Sequence, residues 1–297
     1  MLPDFELIQP ENVSEATAIL LELGGKACPL AGGTDVFVSM REKGFQPEYL
    51  VDLKGIDELR GIALTGDGRV SIGATTTLHE VEISKLVKGV CPVLAETVGQ
   101  IGSMQVRNRG TIGGNLGNAS PAADSARALL ILDAELELES AAGRRTVPIE
   151  SFFVGPGETA IRPGEILCRI LVPTVNPGMS TASLKYGPRR AMDCAVASVA
   201  VALRFDPSGV CQAARVALGS VAPTPVRSRR AEAVLAGQEP SEQCLKKAAE
   251  AARAEVQPIT DLRASADYRS HLVEVLVKRA IQKAVEQHIS SVCSASH

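Results

Sequence analysis

The chain has 297 residues, of which 45% are hydrophobic, and a formal net charge of -3 at pH 7. This length predicts roughly two domains, with ample apolar material for packed cores. The balanced charge and the aromatic content of only 3% argue against a nucleic-acid partner, which would need a basic surface and stacking rings.

Membrane and metal signals are weak. The longest apolar runs, such as Ala195–Leu203, are shorter than the ~20 residues that span a bilayer. The N-terminus lacks the basic and apolar stretches of a signal peptide. The seven cysteines are odd in number and none has CxxC spacing, and the four histidines show no metal spacing. We therefore expect no metal site, reduced and mostly buried thiols, and a cytoplasmic protein.

The first readable helix begins at Asn12, a capping residue with Glu15 in the capping-box position. Its apolar positions recur at 16, 19, 20 and 23, and Gly24-Gly25 ends it. Three short apolar stretches are then predicted as strands, namely Cys28–Ala31, Tyr49–Leu53 and Arg69–Ala74.

The middle of the chain alternates helical and extended patterns. A helix is predicted from Pro92, a second over Pro121–Leu132, and a glycine-rich loop between them at Gly110–Asn118. Strands are predicted at Glu135–Glu139, before a turn at Gly143, and at Ile166–Val172.

Composition shifts at Thr174–Ser180, which has the proline and glycine of a connector. Alternating strands follow around 199–205 and 215–218, and helical spacing returns around 245–256 and 273–284. The pattern predicts an α+β region over 1–175 and a smaller sheet-plus-helix domain over 176–297.

Two glycine-rich stretches carry the strongest chemical signal. We name Ala31–Asp35 the first glycine segment and Thr111–Asn115 the second glycine segment. Glycines let backbone N–H groups approach phosphate oxygens, and two such turns would suit a diphosphate. Neither matches GxGxxG or GxxxxGK[ST], so Rossmann and P-loop folds are disfavoured. From the residues alone, each glycine pair can equally be only a tight turn.

The sequences of both segments, AGGTD and TIGGN, resemble the paired FAD motifs of the flavoprotein subunits of molybdenum hydroxylases. The continuations ASPAAD at 119–124, KYGPRRAMD at 185–193 and ADYR at 266–269 are similar too. The resemblance covers essentially the whole chain. It implies a two-part α+β FAD domain of the vanillyl-alcohol-oxidase type, with subdomains at about 1–55 and 56–175. A C-terminal domain with a three-stranded antiparallel sheet and a helical bundle follows.

The resemblance also implies cofactor-binding residues. Residues 30–37 resemble the first loop over the FAD diphosphate, and the second glycine segment the other. Asp124 matches a carboxylate that hydrogen-bonds FAD, although an acid at a helix N-terminus is the plain alternative. The implied set is Leu30, Ala31, Gly32, Gly33, Thr34, Asp35, Val36, Phe37, Ile101, Thr111, Ile112, Gly113, Gly114, Asn115, Asn118, Ser120, Asp124, Ile166 and Leu167 on the adenine side, and Lys185 near the flavin.

The implied function is electron transfer through FAD. Molybdopterin and [2Fe-2S] clusters are expected on a large and a small partner subunit, in a dimer of heterotrimers. Electrons would pass from the clusters through FAD to NAD, a quinone or O2. No catalytic residue is proposed on this chain, since no nucleophile arrangement is visible. Arg107, Arg109, Arg189 and Arg190 are either solvated or available to carboxylates and partner subunits.

One departure narrows the chemistry. Reductase β subunits of this family carry a cysteine-rich insertion in the FAD domain, whereas 132–146 here is short and has no cysteine. Oxidative hydroxylation of an aldehyde, a purine, an N-heterocycle or CO is therefore favoured. Two alternatives remain: a stand-alone flavoenzyme with its own substrate pocket, and a non-redox assembly subunit whose flavin site has decayed.

Overall fold

The structure is a computed structural model and describes residues 2–174, 178–189 and 192–295, without the side chains of 291–295. Arg190 lies outside these ranges, as do His297 and the Cys293 side chain. The predicted domain boundary at 175 also falls outside them and stays a prediction.

The N-terminal part is a small parallel sheet with two helices. Strand order is β1-β3-β2, and both pairings are parallel. Asn12 accepts a hydrogen bond from the Glu15 amide and so caps the first helix, as predicted. The elements are β1 (Glu6–Ile8), α1 (Val13–Leu23), β2 (Ala27–Leu30), α2 (Val36–Glu42) and β3 (Tyr49–Asp52).

The second part is a five-stranded antiparallel sheet, in the order β4-β5-β10-β6-β7, covered by short helices. Its strands are β4 (Ile62–Leu64), β5 (Arg69–Gly73), β6 (Glu135–Ser140), β7 (Gly143–Pro148) and β10 (Ile166–Pro173), with a separate hairpin of β8 (Phe153–Gly155) and β9 (Glu158–Thr159). Its helices are α3 (Leu78–Ile83), α4 (Lys85–Val90), α5 (Pro92–Val98), α6 (Met104–Arg107), α7 (Ile112–Gly117) and α8 (Asp124–Ile131).

The C-terminal part is a twisted antiparallel sheet against helices. Alternating apolar residues of the second strand in this sheet pack on α11, and α10 packs on α11 in the same core, which explains the helical spacing of both helices. Its elements are β11 (Met179–Tyr186), β12 (Ala197–Phe205), β13 (Cys211–Gly219), β14 (Val226–Arg227), α9 (Arg229–Leu235), α10 (Glu242–Arg253) and α11 (Ala266–Ala295). The predicted fold class is confirmed, and β14 adds a fourth, two-residue strand to the three predicted.

Helix α8 lies between the second part and the C-terminal part, and all eight of its residues are buried. One core cluster runs through it to Ala200, Ala202 and Ala217 of the C-terminal sheet. At its far end, Asp133 binds the guanidinium groups of Arg215 at 2.5 Å and Arg227 at 2.7 Å. The C-terminal domain is therefore fixed to α8 by apolar packing and by ion pairs.

Candidate functional site

The two glycine segments are in direct contact. A Cβ atom at Gly32 would lie 2.2 Å from the carbonyl oxygen of Arg109 and 2.7 Å from Cα of Gly110. A Cβ atom at Gly114 would lie 3.9 Å from that of Ala31. Because real Cβ atoms do not approach a backbone oxygen so closely, only glycine at position 32 lets the chain entering the second segment pack against the first.

Between the segments lies a cavity of about 590 Å³, a size typical of clefts that hold small molecules. Both segments contribute to its wall, as do residues from β10 and from the loop after α5. Fourteen of the predicted site residues line it: Ala31, Gly32, Gly33, Thr34, Asp35, Val36, Ile101, Thr111, Gly113, Gly114, Asn115, Asn118, Ile166 and Leu167.

Six predicted site residues do not line this cavity, namely Leu30, Phe37, Ile112, Ser120, Asp124 and Lys185. Leu30 and Ile112 are buried in the core. The Phe37 ring packs against Phe5, with ring centroids 6.3 Å apart, and supports the first segment from behind. The hydroxyl of Ser120 accepts a hydrogen bond from the amide of Ala122 at 3.2 Å.

The first glycine segment keeps its amides available. Within the described ranges, the backbone N–H groups of Gly32, Gly33 and Thr34 donate to no protein acceptor. Gly33 has φ of +77°, a conformation that favours glycine. Partly buried amides need acceptors, so this turn suits the oxygens of an anionic ligand such as a diphosphate.

The second glycine segment uses its amides inside the protein. Gly113 donates to the carbonyl oxygen of Ala74 at 2.9 Å, and Gly114 to the hydroxyl of Thr111 at 3.0 Å. Thr111 thereby caps helix α7. The prediction of a loop over Gly110–Asn118 is wrong from Ile112 onward, because the cap allows this glycine-rich stretch to turn helical.

Two side chains of the second segment, those of Thr111 and Asn115, keep hydrogen-bond donors for a ligand. The carbonyl oxygen of the Asn115 side chain accepts a hydrogen bond of 2.6 Å from the hydroxyl of Ser125 on α8. This fixes the amide group of Asn115 and leaves its NH2 group as a donor. Thr111 accepts from the Gly114 amide and keeps its own hydroxyl hydrogen for another partner.

Asp124 and Lys185, both predicted to approach FAD, meet each other beside the cavity. The ammonium of Lys185 lies 2.5 Å from a carboxylate oxygen of Asp124, whose other oxygen binds Arg127. Lys185 also donates to the backbone carbonyl of Gln100 at 3.1 Å. Ile101, the next residue, lines the cavity. Asp124 is also the first residue of α8. It therefore occupies the helix N-terminal position that the alternative interpretation of this residue predicts.

The four arginines named from the sequence differ in their contacts. The Arg107 guanidinium donates to a Glu82 carboxylate oxygen at 2.8 Å and to the Ile101 carbonyl at 3.1 Å. Arg189 lies 3.5 Å from the carboxylate of Asp193. Arg109 contributes the backbone oxygen that packs on Gly32.

Sequence reasoning missed fifteen residues of the cavity wall: Cys28, Pro29, Ser39, Lys43, Phe45, Leu53, Ala74, Thr75, Leu78, Val106, Gly110, Gly117, Gly157, Ile161 and Glu165. Cys28 and Pro29 precede the first segment, so extending that motif would have found them. Lys43 and Phe45 follow the short helix α2, and no sequence pattern marks them.

Two titratable groups in the cavity wall have pKa values that differ from their ordinary values. Burial raises the pKa of the Cys28 thiol to about 11, so it stays protonated at neutral pH. Hydrogen bonding from Arg145 lowers the pKa of the Glu165 carboxyl below its usual range. Glu165 is therefore an anion whose charge is paired with Arg145 of the same chain.

The arrangement fits FAD. Free amides in the first segment suit diphosphate oxygens, while Ile161, Ile166 and Leu167 give the same cavity an apolar wall for a ring system. The surrounding α+β domain combines a three-stranded parallel sheet with a five-stranded antiparallel sheet. Fold and site thus define a flavoprotein class.

Family models refine this class. Residues 3–175 match the FAD binding domain in molybdopterin dehydrogenase, and residues 182–284 match the CO dehydrogenase flavoprotein C-terminal domain. The chain belongs to the family of FAD-binding flavoprotein subunits of molybdenum hydroxylases, which are oxidoreductases. The predicted family is thereby confirmed.

Individual relatives agree. The carbon monoxide dehydrogenase medium chain of Hydrogenophaga pseudoflava is 38% identical over 282 residues, covering 95% of this chain and 97% of that protein. The xanthine dehydrogenase FAD-binding subunit of Escherichia coli O157:H7 is 36% identical, covering 86% and 88%.

Solved structures agree as well. A carbon monoxide dehydrogenase structure from Hydrogenophaga pseudoflava matches with a TM-score of 0.93 at 38% identity, covering 96% of this chain and 98% of that one. Quinoline 2-oxidoreductase from Pseudomonas putida 86 matches at 0.91 and 30% identity, covering 97% and 99%. Across the described residues, no helix has the length and apolar character needed to cross a membrane.

Proposed function

We propose that this chain carries FAD between its two glycine segments and transfers electrons within a molybdenum hydroxylase complex. Electrons come from [2Fe-2S] clusters on a partner subunit and leave to an external acceptor, which is NAD, a quinone or O2. The observation that carries the proposal is the contact of Gly32 with the Arg109–Gly110 backbone, which brings both FAD-like motifs to one cavity.

The two segments hold the cofactor through different groups, the first through backbone amides and the second through a side chain. Amides of Gly32, Gly33 and Thr34 bind diphosphate oxygens, and the NH2 group of Asn115 adds a donor from the opposite wall. Ile166 and Leu167 give the adenine an apolar surface. Bound FAD would supply a carrier that takes electrons singly and passes them on in pairs, whereas the protein supplies position and electrostatics.

Partners are proposed on the same basis. A large molybdopterin-binding subunit and a small [2Fe-2S] subunit join this chain in a dimer of heterotrimers, in the cytoplasm. The six cysteines whose side chains the structure describes are all free thiols, as a reducing compartment favours. The substrate of the complex is an aldehyde, a purine, an N-heterocycle or CO, and the domain boundary lies near residue 175.

Cofactor binding is tested on the purified chain. Titration of the apoprotein with FAD and with FMN, followed by absorbance and by ultrafiltration, is expected to give one FAD per chain and weak FMN binding. FMN lacks the adenylate that the wall at Ile166 and Leu167 would contact. A colourless protein that takes up no FAD would instead support the decayed assembly subunit.

Electron transfer is tested on the complex. Native pull-down and metal analysis are expected to recover molybdenum and iron with this chain. Removing FAD from the complex is expected to stop reduction of the acceptor while substrate still bleaches the iron–sulfur absorbance. Substrate turnover by the isolated flavin-loaded chain would support the stand-alone flavoenzyme instead.

A further inference from the structure

Two buried cations and one carboxylate form a cluster beside the proposed flavin cavity. Asp124 and Arg127 lie on α8, and Lys185 lies on β11 of the C-terminal sheet. Their side chains are 6%, 1% and 12% exposed, respectively. We name these three residues the charge cluster.

Every polar contact of Arg127 lies within the protein. Its guanidinium binds a carboxylate oxygen of Asp124, donates to the side-chain oxygen of Gln100 at 3.1 Å and donates to the Ser183 hydroxyl at 3.1 Å. Asp124 receives Arg127 on one oxygen and Lys185 on the other. Arg127 therefore holds the Asp124 carboxylate in place. Because this one carboxylate pairs with two cations, it neutralises only one of their two positive charges.

The charge cluster has two positive charges and one negative charge, so its net charge among the described residues is plus one. Nearby charges do not balance it, because Glu82 is paired with Arg107 at 2.8 Å and Glu96 with Lys283 at 3.2 Å. A buried, unbalanced charge is unfavourable unless something else in the functional state compensates it. This points to a group that carries or gains negative charge nearby.

Two short connections join the charge cluster to the cavity. Gln100, which contacts both Arg127 and Lys185, directly precedes Ile101 in the cavity wall. Ser125, next to Asp124, donates a hydrogen bond to Asn115, which also lines the cavity. The surplus charge is thus next to the cavity and shielded from solvent, where charges act over longer range than in water.

We propose that Arg127 is a positioning residue that sets the net charge of the cluster at plus one and thereby raises the reduction potential of bound flavin. The inference rests on the proposed function. Two-electron reduction of the neutral isoalloxazine with uptake of one proton leaves one added negative charge on the ring system, which a nearby positive charge stabilises. The electrons come from the partner's clusters, or from a chemical reductant in the test.

The test is a series of single charge changes in the flavin-loaded protein. Potentials are measured by equilibration with a reference dye during slow reduction. Arg127→Gln and Lys185→Gln make the cluster neutral and are expected to lower the potential. Asp124→Asn makes it more positive and is expected to raise it. Each change is expected to shift the reduced-to-oxidised ratio about tenfold at fixed potential, or roughly 30 mV for two electrons.

Two further variants separate charge from packing. Arg127→Lys keeps the charge and is expected to leave the potential near wild type, and the double variant Arg127→Gln/Asp124→Asn restores plus one and should do the same. Arg227→Gln is the matched control, because Arg227 is an equally buried guanidinium, 4% exposed, paired with Asp133 and Glu232 instead. The reduction potential of flavin in Arg227→Gln is expected to equal that of wild type.

The outcomes are distinguishable. If wild type takes up no FAD, the proposed function fails. If wild type binds FAD but Asp124→Asn lowers the potential, or Lys185→Gln leaves it unchanged, this inference alone is overturned. These two variants decide the sign even if Arg127→Gln does not fold.

Discussion

In the first glycine segment, the amides of Gly32, Gly33 and Thr34 have no acceptor within the described part of the protein, whereas in the second the amides of Gly113 and Gly114 are already bonded. The first segment is an open turn that can offer its backbone to a ligand. The second is the capped start of helix α7 and offers side chains. Similar glycine pairs therefore differ in structure: one leaves its main-chain amides free for a ligand, and the other packs tightly, with Thr111 and Asn115 in the cavity wall.

The largest effect is expected from Gly32→Ala, which attacks the contact between the segments. Its Cβ atom would lie 2.2 Å from the Arg109 carbonyl oxygen, and a backbone oxygen cannot rotate away. We expect a loss of about 3 kcal/mol or more in the free energy of unfolding and no retained FAD, measured by urea unfolding and by flavin absorbance.

Gly89→Ala is its control. Gly89 lies in helix α4 with nothing within 4 Å of the added Cβ, so its stability should stay equal or rise by about 0.5–1 kcal/mol. Normal stability and FAD content in Gly32→Ala would mean that the segments do not need this close approach.

Gly114→Val is expected to have the next largest effect. A Cβ atom there would lie 2.9 Å from the Thr111 hydroxyl oxygen, so the cap must move and the branched side chain fills space beside Ala31. Loss of the cap costs about 1 kcal/mol, and stoichiometric FAD retention is expected to disappear. Gly89→Val makes the same change in an open helical position and should keep FAD. Full flavin in Gly114→Val would contradict the assignment of this wall to the diphosphate.

How far the sequence predicts this molecule depends on element length. The first helix was found because Asn12 caps an eleven-residue periodic stretch, and the nine-residue strand β12 because its apolar residues alternate. Helices α3 to α6 have only four to seven residues each, too few for a period to show, and α4 and α6 were missed.

The site residues also divide into those that a local sequence pattern reveals and those that only the fold brings together. Glycine motifs identified both segments, but the contact between Gly32 and Arg109 joins residues far apart in sequence, which no local pattern reveals. Likewise, no pattern shows that Asp124 and Lys185 are partners, or that Arg127 is buried with them. The resemblance named two members of that cluster, and only the packing of α8 against β11 supplies the third.

Asn115→Leu tests whether the second segment works through side chains. It removes an NH2 donor and keeps a similar volume, while the first segment is untouched. We expect FAD to bind roughly ten- to a hundredfold more weakly, the loss typical of a hydrogen bond to a charged group. Isothermal titration would measure it, with Asn108→Leu, at an exposed position outside the cavity wall, as the control. Equal affinity in both variants would assign the cofactor contacts to the first segment alone.

Ser125→Ala is the smallest and most specific change, because it acts only by releasing Asn115. The lost hydrogen bond of 2.6 Å is worth about 0.5–1.5 kcal/mol, so FAD affinity should fall roughly two- to tenfold. When Asn115 is already replaced by leucine, Ser125 has no amide group to orient. The FAD affinity of Ser125→Ala/Asn115→Leu should therefore equal that of Asn115→Leu alone. Residues that act through one contact are non-additive in this way, whereas independent contributions would add. Additive losses would therefore show that Ser125 supports the cavity by packing, and that the side chain of Asn115 does not depend on it.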